Sequence, residues 1–174
     1  HTRVEVRSVS IEFFKNVVIE GVYIEDQHKD TLLYLDKLTV NISRFDYEKQ
    51  EDDLEKITIE NSKADIVYYK NDTDLNFQFI KDALRGKKDT IPDTTAGWKV
   101  TFGDIFLKHF DFVYRDERYT GGSRGIDFDN MHVKNIDSQL HGFKIEDDTI
   151  SADIIDLSAI EKSGFILRKL SGHA

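Results

Sequence analysis

Apolar residues recur at every second position along most of this chain, and that alternation constrains the fold more than any other feature. Leu38, Val40 and Ile42 alternate with Thr39 and Asn41, and Ile57 and Ile59 alternate with Lys56, Thr58 and Glu60. Ile105 and Leu107 are followed by Phe110, Phe112 and Tyr114; the last third brings Met131/Val133, Phe143/Ile145, Ile150/Ala152/Ile154 and Phe165/Leu167. Period two makes one side of an extended strand apolar and the other polar, which describes antiparallel strands with one wet face. The aliphatic balance agrees: Ile and Val number 29 against 19 for Leu, Ala and Met, a β-branched excess that suits sheets. The intervening stretches 25–30, 60–63, 121–123 and 146–148 are short and polar, as turns should be. Pro92, the single proline, sits in the polar stretch 86–97, outside any strand pattern.

One segment breaks the rhythm. Phe77, Ile80 and Leu84 fall at helical spacing, with Asp72 and Asp74 as acidic cap candidates before them, and Arg85 and Gly86 behind. This start-and-stop signature predicts a short helix at about 75–85, with Phe77, Ile80 and Leu84 as the face that caps the end of a sheet. A degenerate repeat runs beneath the alternation. Ile57-Thr58-Ile59 followed by Asp65-Ile66-Val67-Tyr68 can be laid on Ile105-Phe106-Leu107 followed by Asp111-Phe112-Val113-Tyr114. It predicts a repeated strand–turn–strand unit, a sheet that grows by adding hairpins.

Composition excludes several functions. The net charge of −9 and the lack of clustered Lys/Arg argue against a nucleic-acid partner. Without cysteine there is no disulfide framework, cysteine zinc site or thiol nucleophile. The six histidines (1, 28, 109, 132, 141 and 173) show no metal-ligand spacing, so no metal is expected, and no cofactor motif is present. Asp127-Phe128-Asp129-Asn130 and Asp72-Thr73-Asp74 resemble calcium loops but lack the turn glycine and distal Glu. Gly121-Gly122-Ser123-Arg124-Gly125 has no Gly-Lys-Ser/Thr and no following helix pattern, so it reads as a wide hairpin loop. No catalytic residues are assigned, and the chain is expected not to be an enzyme.

Val17-Val18-Ile19-Glu20-Gly21-Val22-Tyr23-Ile24-Glu25-Asp26-Gln27, then Asp30-Thr31-Leu32-Leu33-Tyr34, is more specific than a generic strand pair. With Ser10-Ile11-Glu12-Phe13-Phe14-Lys15-Asn16 before it, this stretch resembles the N-terminal part of TamB-like proteins, the translocation and assembly module family of Gram-negative bacteria, which belong with the AsmA-like proteins. Leu75-Asn76-Phe77-Gln78-Phe79-Ile80 is similar to the family's helix-opening motif, and Gly164-Phe165-Ile166-Leu167-Arg168-Lys169-Leu170-Ser171-Gly172 to its recurring strand ending. The resemblance implies an inner-membrane anchor helix followed by a long curved periplasmic sheet with an apolar trough. It also implies traffic of phospholipid between the membranes, and assembly of outer-membrane proteins with an Omp85-type barrel partner. It carries no catalytic residues.

The expectation is therefore a mainly β chain, 1–174 as one groove segment of a longer protein, lacking the anchor helix and further repeats. Its curved, mostly antiparallel sheet forms a half-open apolar groove with one short helix. Leu38, Val40, Ile42, Ile57, Ile59, Ile105, Leu107, Phe112, Val133, Ile145, Ile150, Ala152 and Ile154 are expected to line that groove and to meet phospholipid acyl chains. Open strand edges permit self-association. The alternative is a closed β-sandwich binding a glycan or protein through loop residues such as Tyr119, Arg124 and Asp127.

Overall fold

The computed structural model describes residues 2–13, 15–46, 48, 51–85, 99–119, 125–146 and 149–173. The chain is 70% strand and 4% helix, and all ten described strands belong to one sheet. In chain order these are β1 (Val4–Glu5), β2 (Ser8–Glu12), β3 (Asn16–Glu25), β4 (Thr31–Asp46), β5 (Glu51–Glu60) and β6 (Lys63–Tyr68). The helix α1 (Gln78–Arg85) follows, then β7 (Lys99–Asp116), β8 (Asn130–Glu146), β9 (Thr149–Glu161) and β10 (Ile166–His173). Laterally the order is β1/β2, β3, β4, β5/β6, β7, β8, β9, β10: β1 and β2 both pair with β3, and β5 and β6 both lie between β4 and β7.

Every pairing is antiparallel except two, both made by β7. β5 and β6 run parallel to β7, so the chain must return along the sheet between them, and α1 lies in that crossover. This corrects the hairpin reading of the internal repeat. Ile57 pairs with Ile105, Ile59 with Leu107 and Ala64 with Phe112, so the two copies are neighbouring parallel strands. The stretch 60–63 is no reversing turn; Asn61 takes φ +49 there and the chain continues in the same direction. Gly103 shows how close β5 and β7 come: a Cβ at this position would lie 2.1 Å from the carbonyl oxygen of Glu55.

The strands are interrupted along a common line. Gly21 in β3, Asn61 between β5 and β6, His109 in β7, Asn135 in β8 and Asp156 in β9 all have positive φ. In the β7–β8 and β8–β9 pairings the register shifts at these positions: Leu107 and Phe110 of β7 face Ser138 and Ile136 of β8. Backbone amides on this seam are taken up by side chains of adjacent strands. The Asp137 carboxylate accepts from the His109 amide (3.0 Å), and the Asp111 carboxylate from the Asn135 amide (3.0 Å). Ser62 Oγ accepts from the Asp36 amide (3.2 Å), and Ser171 Oγ from the Asp156 amide (3.1 Å).

A closed sandwich packs two sheets face to face, whereas the described strands make one. The chain exposes 12363 Å², whereas a compact monomer of this mass exposes about 8,800 Å². Only eight described apolar side chains are buried, among them Val18, Leu35, Val67 and Ile105. The stretch 86–98, with Pro92, and residues 120–124, with Arg124, lie outside the described residues.

Candidate functional site

Side chains directly opposite one another on paired strands point to the same face. Following the register across the sheet therefore shows which residues meet. Ile11, Val17, Val40, Ile57, Ile105, Leu140 and Ile154 form one transverse row over seven strands, ending beside Gly172. Val9, Ile19, Leu38, Ile59, Leu107 and Ser138 form the next row on the same face. At a strand spacing of about 4.8 Å the first row is about 29 Å wide, and neither row contains a charged residue.

The face continues past the seam. Ile136 alternates with Ser138 on β8, so Phe110, which opposes Ile136, shares the face of Leu107 despite its even number. Phe112 and Val133 follow as an opposed pair, in a row that runs Ile24, Leu33, Ala64, Phe112, Val133. Towards the other end, Ile42 opposes Leu54, and Leu54 opposes Phe102, whose ring meets Phe143 edge-on at 5.5 Å. Ala152 lies two residues from Ile154 on β9 and is buried. Ile145 and Ile150 oppose one another at the β8–β9 end; their side chains lie outside the described residues. Most of this face is half-buried, including Leu38, Val40, Ile57, Ile59, Leu107 and Ile154. Side chains in this state shield one another laterally while their tips stay open.

The opposite face carries the charged side chains, although Val18 and Thr58 on it are buried. Ser8, Glu20, Lys37, Glu60 and Lys108 make a cross-strand ladder in which the charges alternate, with Ser8 Oγ donating to Glu20 (3.0 Å) and Lys108 Nζ to Glu60 (3.2 Å). Beside it, Asn41 Nδ2 donates to Asn16 (2.7 Å) and Gln139 Nε2 to Asp104 (3.0 Å). The sheet therefore separates an uncharged face from one that carries charged side chains.

A polar lock ties the β3–β4 turn to the crossover. Asp26, 1% exposed, accepts at Oδ1 from the amides of His28 (2.8 Å) and Asp30 (3.0 Å). At Oδ2 it accepts from the Tyr69 hydroxyl (2.7 Å) and the Asn76 amide nitrogen (3.0 Å). Burial pushes the Asp26 carboxyl up, but the bonds from Asn76, Tyr69 and the two amides outweigh it and hold the group below the ordinary carboxylate range. Burial, together with the carboxylates of Asp26 and Asp30, drives the Tyr69 phenol far above its usual value. Asn76 also accepts from the Val67 amide (3.0 Å), donates to the Asp65 carbonyl (2.9 Å), and gives its own backbone amide to the Val67 carbonyl (2.9 Å). Outside this core His28 stacks on Tyr69 at 3.9 Å and meets Asp72 at 2.8 Å. A polar cavity of about 490 Å³ adjoins it, lined by Gln27, His28, Asp72, Asn76, Phe79 and Asp82 among others.

Asn76 was invisible to periodicity because it contributes through hydrogen bonds rather than apolar spacing; the Asp26 turn and the helix-opening Leu75-Asn76-Phe77 are its only sequence signals. Phe77 and Ile80 are half-buried, and the side chain of Leu84 lies outside the described residues. Asp127 serves a turn, accepting from the Asp129 amide (3.2 Å), and Tyr119 is exposed. Among the described residues no group of three or more His, Asp or Glu converges as a metal site, and no helix is long and apolar enough to cross a membrane. No family model matches this chain, and no curated protein matches it.

Proposed function

We propose that this chain is a non-enzymatic span of a periplasmic β-groove that conducts phospholipid between inner and outer membranes and assists assembly of outer-membrane proteins. The reading joins the TamB-like sequence resemblance to one structural observation, the uncharged apolar face that runs across seven strands with no covering sheet among the described residues. Such a face in water is costly unless something oily occupies it. An acyl chain gains about 0.8 kcal/mol per buried CH₂, enough in sum to retain a lipid while no single polar contact pins it in place. The charged side chains of the opposite face suit the span to an aqueous compartment. In this reading the whole protein is anchored in the inner membrane and meets an Omp85-type barrel.

The test is mass spectrometry of an organic extract of protein purified without detergent, with photo-crosslinkers at Ile59 and Leu107 in cells. Phospholipid in the extract and on both crosslinkers is the expected result. An empty extract together with crosslinkers that capture no lipid would end the lipid reading.

A further inference from the structure

The two lateral edges of the sheet differ in how well they are guarded. β10 departs from regular pairing twice, between Leu167 and Leu170 and again between Leu170 and Gly172, and it carries Arg168 and Lys169. Bulges and basic residues are the means by which natural edges resist further pairing. β2 has neither. Its register with β3 is unbroken from Ser8 to Glu12, it contains no Pro or Lys, and among the described residues no strand pairs with its outer side. Val9 and Ile11, 63% and 71% exposed, end the two apolar rows at this edge. They have the apolar character of inner-strand residues without the neighbour that would cover them.

We infer that β2 is a docking edge for an extended segment of another polypeptide, added as a further strand whose apolar residues sit beside Val9 and Ile11. The ladder supplies affinity without regard to sequence, and the apolar face demands alternation in the guest. Five residues span only about 17 Å, too little for the ~1,200 Å² of a stable dimer interface. The occupant is therefore a transient amphipathic strand rather than a second copy of this chain. This inference uses the edge and not lipid conduction, so the two can fail separately.

The probe is a fluorescent ten-residue peptide of alternating valine and threonine with lysine at both ends, read by anisotropy and by amide hydrogen exchange. Saturable binding with new protection at residues 8–12 is expected. The double variant Val9→Lys/Ile11→Lys should weaken binding at least tenfold with melting unchanged, since both side chains are exposed. Ile166→Lys/Leu170→Lys on β10 should bind as the parent does. The same peptide with a central proline, which cannot complete the ladder, should not bind. Equal binding of the proline peptide, protection on β10 instead of β2, or a concentration-dependent dimer through β2 would each overturn the inference.

Discussion

Asp26 is the residue on which one end of the sheet depends. Its carboxylate receives four hydrogen bonds from three segments, so removing it strands several donors at once. Asp26→Ala should cost about 3 kcal/mol, since each buried unsatisfied group costs roughly 1–3 kcal/mol, and urea melts would show it as a fall in midpoint. The lock should also respond to pH in two directions. Asp26 is held below the ordinary value, so its contribution is complete above that value and is lost as pH falls through its folded pKa. His28 is raised by its hydrogen bond to Asp72, opposed by burial and supported by the charges of Asp72, Asp26 and Asp30. Its contribution is complete below the ordinary imidazole value and is lost as pH rises through its folded pKa. Melting temperature should therefore be highest between the ordinary carboxylate and imidazole values, 3.8 and 6.5. His28→Gln should lessen the decline on the alkaline side only, where His141, raised by its hydrogen bond to Asp104, also contributes; an unchanged profile in that variant would show that another group governs it.

At the scale of elements, the left-handed seam keeps one face apolar. In β7 the apolar set changes from odd numbers at Ile105 and Leu107 to even numbers at Phe110 and Phe112, and His109 absorbs the difference with φ +51. Deleting His109 should send Phe110, Phe112 and Tyr114 to the polar face and abolish cooperative unfolding. His109→Gly keeps the count and relieves a conformation that costs a non-glycine residue roughly 1–2 kcal/mol, so it should melt at or above the parent temperature. Calorimetry of the two proteins separates a requirement for the extra residue from one for the imidazole. Gly103→Ala tests the β5–β7 approach. Its methyl group would meet the Glu55 carbonyl, and backbone cannot give way as a side chain can, so a loss of about 1–3 kcal/mol is expected.

For the whole molecule, the sharpest expectation concerns charge on the apolar face. Ile59 and Leu107 are half-buried and oppose one another, with no covering layer above them among the described residues. A carboxylate sealed in a closed core would be left without water or partner and would unfold the protein. On an open face it can reach solvent. Ile59→Asp and Leu107→Asp should therefore remain folded by circular dichroism, with little change in melting, while losing extracted phospholipid. A large drop in melting temperature for both would mean that the face is sealed and that this segment is no conduit.

Residue order alone was enough for the mainly β class, the short helix and the apolar partners Leu38, Val40, Ile57, Ile59, Ile105 and Leu107, because strand periodicity is local and each segment carries its own pattern. The change of parity after Leu107 was equally visible in the residues, but nothing local reveals that similar interruptions in β3, β5/β6, β8 and β9 fall on one line. That alignment depends on register, which is set by pairing between distant segments. The parallel step was hidden for the same reason: the likeness between 57–68 and 105–114 fits hairpins in sequence, and only the return of the chain through the α1 crossover makes the two copies neighbours. Asp26, Tyr69 and Asn76 are brought together from separate stretches by that crossover, and hydrogen bonds between such residues leave no periodic trace. Tertiary structure alone decided that the apolar residues form one face with no second sheet over it among the described residues, because what covers a strand depends on the layers stacked against it and not on the strand's own residues.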